Sequence, residues 1–221
     1  MPENDDRPLF TVANLFTVRD PQQASGFEDA FADHVEFMHD QPGFVGHQAA
    51  RVVSGACSYV NAGWWRSPAD FTAVRQSTTF RSHATAFGAM VDVVVIPSGN
   101  LRRSVPSGRL FAAEPTVALQ LAEVTGDPRR VLASWTALLR TWRQEPDDSP
   151  AQARNLGYAV SRVMTHPERL VVLTWWDGSQ GVDARLAAAT PPGLAVSSTC
   201  RGPHLLAALG AGELSTTAAS A

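Results

Sequence analysis

From residue 9 the apolar positions change their period several times. The run LFTVANLFTV (9–18) predicts a β-strand. From Gln22 to His39, the residues Phe27, Ala30, Phe31, Val35 and Met38 recur at three- and four-residue intervals, the stripe of an amphipathic helix. DQPGF ends that helix, because Pro42 cannot continue it and Gly43 tolerates positive φ. VGHQAARVV and CSYVNAGWW predict two strands joined across SGA as a hairpin. Ser67 and Pro68 supply an N-cap and a first helical residue, and the helical stretch is expected to continue through FRSHATAFGAM. VDVVVIP predicts a fourth strand, followed by a stretch punctuated by Gly, Ser and Pro that ends in GRLFAA.

The order β-α-β-β-α-β is that of a split, ferredoxin-like unit, and it recurs. PTVALQLAEV predicts a strand, and Pro128 to Gln144 a helix with Val131, Trp135, Leu138, Leu139 and Trp142 inward. LGYAVSRVM and LVVLTWW form a second hairpin, VDARLAAA a short helix and GLAVSSTC a closing strand. TVA opens both halves, WW closes both third strands, and GRLFAA and GPHLLAA end them, in the same sequence order. The expected fold class is α+β: two tandem repeats, over 8–113 and 114–210, with a frayed tail at 211–221. Two helices cover one face of a four-stranded sheet, so the other face needs a second sheet. The second repeat can supply it, giving a dimeric α/β barrel within one chain; pairing of intact chains as a homodimer is the alternative.

Alternation along the third strand puts Tyr59, Asn61, Gly63 and Trp65 on one face and Val60, Ala62 and Trp64 on the other. The second set suits sheet-on-sheet packing. In the first, Asn61 and Trp65 are about 13 Å apart along the strand backbone, an amide and an indole N–H with a glycine between them. That gap predicts a slot for a flat fused-ring ligand, with Tyr59 and Gly63 among its walls. At the matching positions of the second half, Val172 replaces Asn61, Thr174 replaces Gly63 and Trp176 matches Trp65, so a single working site belongs to the first half. His83, on a helical stripe with Phe80, Ala84 and Phe87, is expected to face inward. Asn14 on the first strand and Arg81 complete the candidate set.

Composition narrows the function classes. The net charge of −3 gives no basic footprint for nucleic acid, and all 18 basic residues are arginine, which removes lysine chemistry. The acidic start MPENDDRPL has no apolar core of a signal peptide, and no apolar run reaches membrane length, so a cytoplasmic protein is expected. Cys57 and Cys200, far apart in sequence, read as reduced thiols. His34, Glu36, His39 and His47 crowd one region, but His34 and His39 lie about 140° apart around a helix axis, so no metal site is expected. G-x-S-x-G, Walker and G-x-G-x-x-G motifs are missing from the sequence.

QPGFVGHQ, YVNAGWWRSPADF and STTFRSHATAF together resemble the antibiotic biosynthesis monooxygenase domains of the dimeric α/β barrel superfamily. The resemblance covers residues 9–95 well and 115–208 faintly. Among those domains, the anthrone oxygenases of aromatic polyketide pathways look closest: an Asn on the third strand and a Trp four residues later line the pocket, as Asn61 and Trp65 would. The resemblance implies O₂ as co-substrate, an aromatic polyketide as partner and no obligatory cofactor. Asn61 and Trp65 would steady an oxyanion, and His83 would move a proton. Larger two-repeat relatives that cleave polyketide rings imply a second version, with reduced flavin (FADH2) and a flavin reductase. Haem-degrading members of the superfamily imply a rival set, Asn14, Trp65 and His83. A non-catalytic ligand-binding role in a biosynthetic complex is the third reading.

Overall fold

The computed structural model describes residues 8–104, 115–144, 153–188 and 190–209. The first half contains β1 (Phe10–Val18), α1 (Ala24–His39), β2 (Phe44–Arg51), β3 (Tyr59–Trp65), α2 (Pro68–Arg75), α3 (Thr78–Met90) and β4 (Val91–Ser104). The second contains β5 (Thr116–Val124), α4 (Pro128–Gln144), β6 (Asn155–Val163), β7 (Arg169–Trp176), α5 (Val182–Ala188) and β8 (Leu194–Leu209). All sheet pairings are antiparallel, in the closed order β1-β3-β2-β8-β5-β7-β6-β4. The two halves repeat one strand order, β4-β1-β3-β2 and β8-β5-β7-β6, so the duplicated α+β architecture is present and the barrel closes within one chain.

Closure depends on two long strands. β4 pairs with β1 through Val91–Gly99 and with β6 through Ser98–Ser104. β8 serves β5 first and then β2. The Gly/Ser/Pro-punctuated stretch after Pro97 therefore continues as strand as far as Ser104. Pro97 and Gly99 are tolerated because the ladder changes partner there. GRLFAA and the tail fall outside the described residues.

Trp64, Val60 and Ala62 point into the barrel with Val117, Leu119, Leu173 and Trp175, the face expected for sheet-on-sheet packing. The rings of Trp64 and Trp175 lie 6.2 Å apart. Trp175 Nε1 donates to Gln48 Oε1 at 3.0 Å, which settles one polar pair inside the barrel. Outside, α1, α2 and α3 cover the first half and α4 and α5 the second.

Two local expectations change. The helix after Ser67 is broken: α2 ends at Arg75, and Ser77 caps α3 by accepting from Phe80 N at 3.1 Å. The link between β2 and β3 runs from Val52 to Ser58, longer than the SGA turn, and Ser54 bridges to Arg201 of β8. Ser67 does cap α2 as expected, accepting from Asp70 N at 3.1 Å. Gly43, at φ +83°, admits the Asp70 side chain, which a Cβ would strike at 2.3 Å.

Candidate active site

The outward faces of β1–β4 and the three helices of the first half enclose a cavity of about 500 Å³. Its walls are mainly apolar and aromatic: Val12, Phe31, Met38, Phe44, Phe71 and Phe80 among them. Val93 and Val95 of β4 line it while remaining 46% and 51% exposed, so the cavity reaches solvent along β4. This is the size and lining of a pocket for a small, largely apolar ligand.

Strand pairing brings its polar groups together. Asn14 of β1 lies directly opposite Asn61 of β3, and both line the cavity. His47 of β2, 3% exposed, bonds through Nδ1 to Asn61 Oδ1 at 3.1 Å. An imidazole N–H on the amide oxygen leaves the Asn61 NH₂ as the group turned to a ligand. Trp65, 1% exposed, packs on Phe44 and Phe71, and its Nε1 would lie 3.7 Å from a Cβ added to Gly63. Gly63 thus keeps the space beside the indole N–H open.

The other predicted residues divide. Phe80 and Phe87 line the cavity. Tyr59 does not: it is buried against Phe27, and its hydroxyl donates to Glu28 Oε1 at 2.7 Å, beside the Arg51–Glu28 ion pair. Burial and that carboxylate push the Tyr59 phenol up to about 12. Arg81 is exposed and off the cavity, because its place on α3 turns it outward; Arg75 of α2 is the lining arginine, its guanidinium 5.7 Å from the Phe71 ring centre. His83 is half-buried, packed edge-on to Phe37 and His34 rather than lining the cavity. Of the haem-type set, Asn14 and Trp65 line the cavity, and His83 meets it through its contact with His34.

Of the histidines crowded between residues 34 and 47, His34 and His47 belong to the site. His34 of α1 lines the cavity, and its Nδ1 lies 3.1 Å from His83 Nδ1. Burial, then the neighbouring His83 and His47, push the His34 imidazole down to about 3. The signal was present, since His34 follows Phe27 and Phe31 at helical spacing and belongs to their stripe. Among the described residues no cluster of three or more His, Cys, Asp or Glu is arranged for a metal ion.

The second half fills the equivalent space. Trp176 Nε1 donates to Thr174 Oγ1 at 2.9 Å, its ring packs 5.3 Å from Trp142, and Val172 and Trp135 are fully buried there. The indole N–H that is open in the first half is taken up in the second.

Residues 9–86 match the family model described as antibiotic biosynthesis monooxygenase. No curated protein sequence matches the chain. Among solved structures, an anthrone oxidase-like protein shares 15% identity at a TM-score of 0.61, over 97% of this chain and 98% of its own. A monooxygenase candidate from Lactobacillus acidophilus NCFM gives 9% and 0.64, over 92% and 96%. SnoaB, a cofactor-independent oxygenase from Streptomyces nogalater, is 32% identical over 41% of this chain and 90% of its own, with a TM-score of 0.38. The first two share the fold across both halves; the third is similar in sequence to one half. The chain belongs to the antibiotic biosynthesis monooxygenase family.

Proposed function

We propose that the protein is a monooxygenase acting on a polycyclic aromatic phenol of the anthrone or hydroquinone type, with O₂ as co-substrate and the cavity of the first half as its site. One observation carries the reading: two N–H groups, of Asn61 and Trp65, adjoin a mainly apolar cavity of about 500 Å³, whereas the second half closes the same position. Loss of a proton from a bound anthrone leaves its electron pair delocalised onto a ring oxygen. Asn61 Nδ2 and Trp65 Nε1 are the donors for that oxyanion, fixed in a setting with little water. The apolar walls exclude water and orient the rings. The carbanion reduces O₂ to a bound peroxide, which loses water to leave a carbonyl. Overall a CH₂ and O₂ become a C=O and H₂O, so the substrate supplies every electron.

That balance requires no resident cofactor, and the similar S. nogalater protein is described as cofactor-independent. Incubation with an anthrone in air tests the reading: O₂ uptake without added flavin and a quinone product are expected. Uptake only with reduced FAD and a reductase would redirect the account to flavin chemistry. Binding without uptake in either arm would leave a ligand-binding protein, and a Soret band on haem titration a haem protein.

A further inference from the structure

Asn61, Trp65 and Asn14 offer no group that takes up a proton near neutral pH, and among the described residues no carboxylate lines the cavity. The proton removed from the substrate needs another acceptor. Histidine is the lining residue type suited to the task.

His34 lines the cavity; His83 lies behind it on α3 and is only half-buried. Their Nδ1 atoms are 3.1 Å apart, with the rings at 76°, so one nitrogen donates and the other accepts. With each Nδ1 occupied by the other ring, Nε2 is the nitrogen His34 has left for a ligand.

We infer that His34 is the general base of this site and that His83 passes the proton on to solvent. The inference rests on the reading of the cavity as a site that ionises a phenolic substrate. The substrate C–H or O–H bond breaks, its electron pair stays in the ring system, and the proton bonds to His34 Nε2. His34 Nδ1–H then hands its own proton to His83 Nδ1, and His83 releases its Nε2 proton to water. His34 ends protonated at Nε2 and His83 at Nδ1; exchange of each proton to the other nitrogen resets the pair. No electrons change hands.

The surroundings favour this direction. His34 is faced by His83 from α3, His47 from β2 and the ring edges of Phe80 and Phe87, and Arg75 of α2 shares the cavity. Burial and these neighbours keep His34 uncharged at rest and disfavour its charged form, so the proton arriving at Nε2 has to be matched by the Nδ1 proton leaving for His83. A proton held on it would be a buried cation beside other basic groups. Moved to His83, the charge reaches the side chain nearer to water.

Anaerobic mixing with an anthrone isolates this step, because the absorbance of the bound anthrolate reports proton removal without oxygen chemistry. His34→Gln is expected to slow anthrolate formation about 100-fold or more, with anthrone affinity by tryptophan quenching nearly unchanged. Added imidazole is expected to speed His34→Ala. His83→Gln is expected to slow the step about 10-fold and to make its rate rise with buffer concentration, which a merely structural role would not do. Wild-type rates in His34→Gln, or no imidazole response in a His34→Ala protein that still binds anthrone, would overturn the relay. Anthrolate formation without O₂ uptake in air would uphold the relay and refute the oxygenase reading. If the wild type binds no anthrone, the substrate reading fails, and nitrogen-15 spectra of the imidazoles decide the relay. A protonated His34 Nδ1 facing a bare His83 Nδ1 is expected; the reverse arrangement overturns it.

Discussion

Replacing Gly63 with threonine should convert the open half of the barrel into a copy of the closed half. Gly63 and Thr174 occupy equivalent strand positions, two residues before Trp65 and Trp176, and Thr174 Oγ1 accepts the Trp176 N–H at 2.9 Å. A Cβ at Gly63 meets only Trp65 Nε1 at 3.7 Å and the Val12 carbonyl oxygen at 4.0 Å, both ordinary contacts, so the strand accommodates the change. Threonine also suits a strand better than glycine. The new hydroxyl should take up the Trp65 N–H, adding one buried hydrogen bond worth about 1 kcal/mol. In a chain of this size that corresponds to a rise in Tm of about 2–4 °C. The same bond removes an oxyanion donor, a loss of about 100- to 1,000-fold in kcat. Gly63→Ala is the control: it adds a methyl without an acceptor and should keep most of the activity. Calorimetry and O₂ uptake with an anthrone would be measured on all three proteins. A Gly63→Thr protein that is both stabilised and nearly inactive is expected. One that keeps full turnover, or that is destabilised, refutes the assignment of Trp65 as a donor and of Gly63 as the gap.

Tyr59→Phe should cost about 1 kcal/mol of stability through the lost bond to Glu28, yet leave anthrone affinity and kcat unchanged, since Tyr59 lies off the cavity; a large KM change would contradict its placement. For His34, the folded chain resists protonation down to about 3 while the unfolded chain takes up the proton near 6.5. The unfolded state therefore binds more protons between these values, and this group alone should lower stability by about 1.4 kcal/mol for each pH step below 6.5. Urea titrations across that window should show a shallower acid limb in His34→Phe; an unchanged limb would mean that His34 is not buried and neutral. Cys57 Sγ lies 3.0 Å from Cys200 Sγ, with Cys57 donating, which pushes the Cys57 thiol up and holds Cys200 down at about 6. Diamide should join them within one chain, seen as the loss of two hydrogens by mass and of both free thiols; two thiols still titratable would contradict the contact.

Much of this was readable along the chain because strands and helices expose their own period. Alternation in YVNAGWW sorted Asn61, Gly63 and Trp65 from Val60, Ala62 and Trp64, and the barrel separates the same two sets. Repetition of strand order implied a second sheet, which the chain provides. What escaped depended on partners distant in sequence. Tyr59 shares the face of Asn61, but Glu28, brought over it by α1, takes its hydroxyl into the helix packing. Nothing in the apolar pattern marked the break between α2 and α3, since Ser77 reads as an ordinary helix residue until its side chain is seen capping Phe80 N. His34 and His47 are visible in the sequence, but nothing in their spacing joins them to Asn61. Their use depends on strand register, which sets His47 opposite Gly63 and within reach of Asn61, and on the contact of α1 with α3.

The most direct test of the central claim is oxygen-18 labelling of the product. Wild-type protein turning over an anthrone under labelled O₂, without flavin, should place one atom of label in the new carbonyl, and Asn61→Ala and Trp65→Phe should each lose most of that product. Unlabelled product, or labelled product at undiminished rate in both variants, would contradict an oxygenase whose site lies at Asn61 and Trp65.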